Sequence, residues 1–472
     1  MRRSTIWAGA VALCLAGCFF NEEFVETDDA DVVVDAAVDV FVPPTPIRRY
    51  RKVVVDAQAD GPSFANVGDF DGDGRIDIIV SSFQHLDGFR LAAGKVVVFE
   101  QRDSIDQWSP APVVLPFEWD ARFPNEPLPA DVDGDGDLDV VVPAGFLACP
   151  FLPGVGPCGA LIWFEQTEGQ WLRHEIVPVG SDLFYHRALL VDLDGDGRQD
   201  VISVAEQRSL AAGEGDHAEV HLFRGIDGAA RFDIRPVVLG EGLGSLPVAH
   251  DIDGDGDLDL LSAEFFAGLG ASHAWLEQLA PPSEAEPGGR WLRHVIDDSQ
   301  GPAIQFALVP DLLGPGTLAG VGSNHVNTAK DTPDGWPSAV TLYEIPADPR
   351  ERWPGRVIAS GIESVAGEPM SPQAAPGIFG WGDADTDGDI DLLVSGDGDP
   401  RTFLLEQTAP GQFETWVLDE GVPQGGGARI VDLDGDGRAE LLMTSYETDE
   451  VLLYVADPEG AYPLRRLDDV AR

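Results

Sequence analysis

The chain has 472 residues, 44% of them hydrophobic, enough to bury a core but too many for one ordinary domain unless the architecture repeats. Asp and Glu number 82 against 30 Lys and Arg, and the net charge of −52 argues against nucleic acid and disfavours anionic lipid headgroups. The 54 Gly, 36 Pro and 3 Met favour turns over long helices.

Arg2 and Arg3 precede an apolar run from Ile6 to Leu15, which reads as a secretory signal peptide over residues 1–17. The run is too short to span a bilayer as a mature helix. Leu15-Ala16-Gly17-Cys18 resembles a bacterial lipobox, and that resemblance implies cleavage before Cys18 and lipidation of its thiol. A plain signal peptide is the alternative. Residues 18–46 are acidic and end in Pro43-Pro44-Thr45-Pro46, so they are predicted to form an extended tether. The expected setting is exported, in the cell envelope, with the lipid as the sole membrane contact. Phe19 after the lipidated cysteine favours the outer membrane. Cys149 and Cys158, nine residues apart in an oxidising compartment, are predicted to form a disulfide, with a metal pair as the weaker reading.

One acidic motif then recurs. Asp69, Asp71, Asp73, Arg75 and Asp77 occupy positions one, three, five, seven and nine of a loop with glycine at position six. The frame returns as Asp131, Asp133, Asp135, Asp137 and Asp139; as Asp192, Asp194, Asp196, Arg198 and Asp200; and as Asp251, Asp253, Asp255, Asp257 and Asp259. It returns twice more, as Asp383, Asp385, Asp387, Asp389 and Asp391, and as Asp432, Asp434, Asp436, Arg438 and Glu440. The starts are 62, 61, 59, 132 and 49 residues apart, and the long interval contains a degraded copy at Asp311–Ala319. Odd-position carboxylates around a glycine turn form an all-oxygen cage that suits Ca²⁺. The seventh residue can contribute its backbone carbonyl, which explains arginine there. About six calcium sites are expected. An EF-hand is excluded, because position twelve is never Glu and a strand-like run such as Ile-Ile-Val follows.

Further strands recur with the loop: Val96–Gln101, Leu161–Gln166, Ala274–Gln278 and Phe403–Gln407, then Trp171–Ile176, Trp291–Ile296 and Phe413–Leu418. Four short strands per repeat and seven repeats predict an all-β, seven-bladed propeller with four-stranded antiparallel blades over residues 47–472. The loops resemble the FG-GAP/VCBS repeats of integrin-α-like propellers. That resemblance implies Ca²⁺ between the first two strands of six blades. Two terminal segments compete to close the ring, Tyr50–Val55 and Pro463–Leu467, and the first is expected to complete the last blade.

No nucleophile elbow and no His-Glu-x-x-His helix occurs. The expectation is a non-enzymatic ligand-binding or adhesion module whose partner is a glycan or an envelope protein. The alternatives are a carbohydrate-active enzyme, lyase or hydrolase, with a site at the channel mouth, and a structural component of an envelope assembly. Insertions at 83–94, 145–159, 181–187, 207–217, 324–338 and 363–379 are expected to carry function. They contain Phe89, Arg90, Phe184, Tyr185, Arg187, His325, Lys330 and Trp336. His174 and His294 share one repeat position and are expected to pack.

Overall fold

The computed structural model describes residues 48–470 apart from 88–89, 92, 110–112, 116–120, 147–148, 150–155, 168, 208–215, 229–230, 266–268, 329–334 and 366–373. The signal segment, Cys18, the tether, Phe89 and Lys330 lie outside the described residues.

Short apolar runs separated by glycine turns cannot bury themselves alone. Here each becomes the second strand of a four-stranded antiparallel sheet, buried on both faces. Asp77–Ser82, Asp139–Ala144 and Glu440–Ser445 are buried at every position. A strand covered on both sides reads as a continuous apolar run, which is what Ile-Ile-Val and Val-Val-Val are. Their packing partners come from the next blade. Leu393, Leu404 and Trp416 of blade 6 pack with Leu441, Met443 and Leu452 of blade 7, and Ile78 and Val80 of blade 1 pack with Leu442 and Leu453 of blade 7. Each such fully buried side chain contributes about 1.5–3 kcal/mol.

The innermost strands are Pro62–Gly68, Leu128–Ala130, Phe184–Val191, Val248–His250, Ala303–Pro310, Phe379–Gly382 and Gly425–Val431, one per blade in order. Each runs directly into its acidic loop or, in blade 5, the degraded copy. Ring closure follows the expectation. Arg49–Asp56 pairs antiparallel with Glu450–Ala456 and becomes the outer strand of blade 7. The competing C-terminal segment splits. Tyr462–Pro463 adds outside Arg49–Asp56, and Arg465–Arg466 adds to Gln412–Asp419 of blade 6.

The topology sorts the loops by face. Every acidic loop joins the first strand of a blade to the second. The insertions join second to third strands or fourth to first strands, so they emerge on the other face. One boundary is corrected. Phe184–Val191 is the inner strand of blade 3, and Phe184 and Tyr185 are buried rather than displayed on a loop.

Cys149 and Cys158 are bonded, with Cα atoms 5.8 Å apart, and they pack with Phe123 on the insertion face. His174 stacks on Trp163 and bonds Glu165 at 2.6 Å. His294 does the same with Trp275 and Glu277. Both are packing residues, as their shared repeat position predicts. Among the described residues no helix is long and apolar enough to cross a membrane.

Candidate functional site

The acidic loops are held by backbone N–H groups donated to their own carboxylates. Asp69 accepts from Asp73 at 3.1 Å and from Gly74 at 2.9 Å; Asp71 accepts from Asp73, and Asp73 from Arg75. The first aspartate also takes the sixth-position N–H in the loops of Asp192, Asp251, Asp383 and Asp432. That glycine sits at positive φ, +87° at Gly74 and +101° at Gly136, where a side chain would be strained.

The ninth-position acid has a second duty that the motif does not reveal. Asp77 accepts the N–H of Phe70 within the loop at 3.0 Å and that of Gln101, just past the third strand, at 2.8 Å. Asp139 does so with Val132 and Gln166, Asp259 with Ile252 and Gln278, and Asp391 with Ala384 and Gln407. In blade 3, Asp200 takes Leu193 and Gly225. The acid is a strut between loop and sheet. Its donors are backbone groups, so no side-chain pattern announces them.

Carboxylates also converge. Asp69, Asp71 and Asp77 present oxygens within 4.8 Å of one another, as do Asp131, Asp133 and Asp135; Asp192, Asp194 and Asp200; Asp251, Asp253 and Asp255; and Asp383, Asp385 and Asp391. Burial first, with neighbouring aspartates adding, pushes Asp391 up to about 8 and Asp385, Asp259 and Glu440 to about 7. The buried Asp385 Oδ2, Asp137 Oδ1 and Asp257 Oδ1 have no protein partner. Crowded hard oxygens opposed by burial are relieved by a divalent cation. The donor set fits calcium. At the seventh position Arg75 and Arg198 fold back onto Asp73 and Asp196, and their Nε atoms donate to the carbonyls of Gln101 and Gly225. The blade 5 copy keeps its turn by other means: Gly316 N–H donates to Asp311 at 2.6 Å, and the Thr317 hydroxyl donates to the Gly314 carbonyl at 2.7 Å.

On the insertion face a charged group lies at the mouth of the channel. Glu126 precedes the inner strand of blade 2, while Arg187 and Arg429 lie on the inner strands of blades 3 and 7. Glu126 accepts from Arg187 Nε and from Arg429 Nη2, each at 2.6 Å. Blades 2 and 7 are not neighbours, so the bridge passes inside blade 1. Burial alone would raise the Glu126 carboxyl, but the two guanidiniums overcome it and hold it below the ordinary range. Next to Arg187, His186 Nδ1 lies 2.6 Å from Glu206 Oε2 with both side chains buried, and Glu206 Oε1 has no protein partner. The N–H of Glu126 donates to the His186 carbonyl at 3.1 Å, and Asn125 Nδ2 donates to the Tyr185 carbonyl at 2.6 Å, so the two clusters are tied together. Of these residues only Arg187 was expected to carry function; Glu126, His186, Glu206 and Arg429 carry no motif, His186 meets Glu206 across adjacent strands of blade 3, and Arg429 reaches Glu126 only through ring closure. His325 is held by the Pro376 carbonyl at 2.8 Å, and Trp336 lies against Gly301.

The sequence matches the FG-GAP-like repeat over residues 69–142, 192–262 and 383–443. The chain carries FG-GAP-like repeats. These matched stretches contain all six intact loops in full, two in each. No curated protein matches the chain in sequence. Solved structures resemble the repeat ring in architecture. The α-L-arabinofuranosidase of Fusarium graminearum with arabinobiose is 9% identical, with 90% of this chain and 99% of that one covered and a TM-score of 0.42. The Bacillus licheniformis rhamnogalacturonan lyase is 14% identical, with coverage of 88% and 77% and a TM-score of 0.44. The Penicillium chrysogenum α-L-arabinanase with arabinobiose is 9% identical, with coverage of 91% and 100% and a TM-score of 0.44. All three are enzymes. The expectation of a non-enzymatic module is corrected on the chain's own geometry: it rested on missing motifs, and this propeller brings Glu126, Arg187 and Arg429 together from separate blades without one.

Proposed function

We propose that the protein is a calcium-loaded, carbohydrate-active propeller, a lyase or hydrolase, with its reaction centre at the channel mouth opposite the calcium loops. The observation that carries this reading is the Arg187–Glu126–Arg429 bridge beside the His186–Glu206 pair. Glu126, ionised between two guanidiniums, is unsuited to donating a proton and serves as base or charge stabiliser. His186 and Glu206, 2.6 Å apart, form the acid–base partner. Titratable groups with environments this different are the arrangement that general acid–base cleavage of a glycosidic linkage requires. Arginines at the mouth also suit an acidic sugar in a protein that is otherwise strongly anionic. In this reading Ca²⁺ holds the loops and ring in shape, and the lipid on Cys18 keeps the protein in the cell envelope.

The test is incubation of the calcium-loaded protein with neutral and acidic polysaccharides, scored for new reducing ends and for unsaturated ends. Cleavage that disappears in Glu206→Gln, with the melting temperature kept, supports the proposal. Absence of product from every glycan overturns it.

A further inference from the structure

Blade 3 carries a second cluster of metal-ligating side chains away from any acidic loop. Its third strand, His217–Phe223, begins His217-Ala218-Glu219-Val220-His221. Alternate residues of a strand share a face, so the two imidazoles and the carboxylate project together. Glu219 Oε1 lies 2.6 Å from His221 Nε2, and Glu219 Oε2 lies 3.1 Å from His217 Nε2. Two imidazole nitrogens thus converge on one carboxylate.

The far side of His221 is also fixed. Its Nδ1 is 3.1 Å from the hydroxyl of Tyr185, a buried residue on the inner strand of the same blade. Burial keeps that phenol protonated. In the metal-free protein the phenol O–H donates to Nδ1 and Nε2–H donates to Glu219; an ion that takes the Nε2 lone pair moves that proton to Nδ1, which then donates to the phenol oxygen. A partner on the remote nitrogen that sets tautomer and ring orientation is the arrangement around metal-bound histidine. The cluster is open at one end: the His217 side chain is 42% exposed, whereas that of His221 is 4% exposed.

We propose that His217, Glu219 and His221 form a site for a zinc-class divalent transition ion, with the fourth position open to solvent beside His217. Two imidazoles and one carboxylate are a borderline-soft donor set that suits zinc rather than calcium, and three protein ligands leave a position for water or a ligand. Tetrahedral ligands stand about 3.3 Å apart, so the ion enters as the two hydrogen bonds open. This site is separate from the acidic loops in place and in chemistry, and it does not depend on the glycan-cleaving reading.

The experiment uses the full chain saturated with Ca²⁺, which keeps the acidic loops filled, and titrates Co²⁺ while recording visible absorption. One equivalent should give an intense tetrahedral spectrum that Zn²⁺ displaces. His217→Gln, at the exposed end where folding is least at risk, should weaken Co²⁺ binding at least tenfold with the calcium-dependent melting temperature unchanged. Glu219→Gln should do the same. A wild-type protein that shows only the weak spectrum of six-coordinate cobalt overturns the site. So does a tetrahedral spectrum that persists in His217→Gln.

Discussion

Lys52, on the first described strand, places its ammonium 2.5 Å from a carboxylate oxygen of Asp419, at the end of the outer strand of blade 6. The same Asp419 oxygen accepts the Tyr454 hydroxyl at 2.6 Å. The strand that closes blade 7 through its backbone ladder is thus also fastened to blade 6 by a largely buried ion pair. Every other blade is made from consecutive strands, so closure rests on this one non-local strand.

Removing the ammonium strands a buried carboxylate. Lys52→Met is expected to lower unfolding stability by about 3 kcal/mol, the lower end for breaking a buried pair. Denaturant melts of the two proteins would show it. A loss below a tenth of that would mean that the pair is dispensable.

The same pair has a pH signature. Burial would raise the Asp419 carboxyl, but Lys52 and Tyr454 overcome this and hold it below its ordinary value. Such a group contributes stability above the unfolded carboxylate pKa, about 4, and loses it as pH falls through the depressed folded value. The difference between wild type and Lys52→Met should therefore be full at pH 6 to 7 and shrink below about pH 4. A gap independent of pH would assign the effect to lost packing.

The loops allow two roles of carboxylate to be separated. Asp71, a third-position residue, holds only one backbone N–H within its loop, whereas Asp77 joins the loop to the end of the third strand. Asp71→Asn should lower the melting temperature in calcium and leave the chelated protein nearly unchanged. Asp77→Ala should destabilise both. In wild type, each filled site adds about 2.7 kcal/mol at a hundredfold excess of ion over Kd, so chelation should lower the melt steeply. A melt indifferent to chelator would make the loops acidic turns and nothing more.

What the sequence made legible follows from period and spacing. Six near-identical loops and the degraded copy at Asp311–Ala319 give the blade count of seven, because each one marks the start of a second strand. The closing strand was legible because Tyr50–Val55 is apolar and has no blade of its own. The channel cluster was not legible. Glu126, Arg187 and Arg429 come from three blades and meet only when the ring closes, so no local pattern marks them. Phe184 and Tyr185 fall in the insertion expected at 181–187. The structure instead starts an inner strand at Phe184. The His217, Glu219, His221 spacing is a period-two pattern on a strand, but it occurs once and stands outside the aspartate repeat.

Glu126 tests the channel mouth. Glu126→Gln keeps the shape but leaves Arg187 and Arg429 facing each other without a counter-charge. We expect cleavage of an acidic glycan to fall at least a hundredfold, with the melting temperature a few degrees lower. Exogenous carboxylate such as formate should restore part of the stability of Glu126→Gly. Full activity in Glu126→Gln would remove this residue from the reaction.

Arg350 makes the blade 4 loop different from the others. It lies on the turn between the third and fourth strands of blade 5, and its Nη2 sits 2.5 Å from Asp253 Oδ2 while also gripping Glu277. Blade 2 has a looser version, with Arg231 3.6 Å from Asp133, and the blade 6 carboxylate Asp385 has no such partner for its buried Oδ2. A fixed positive charge beside a cation site opposes loading, so the six loops should fill in order, blade 6 early and blade 4 late. Arg350→Gln removes the opposing charge from a partly solvated position, where screening keeps the effect modest. Calcium affinity at the blade 4 site should rise about fivefold, with the other sites unchanged. Calorimetric titration of wild type and variant would resolve the late step moving earlier. A titration in which the late step stays in place would show that the guanidinium swings clear when the ion binds, leaving Glu277 as its resting partner.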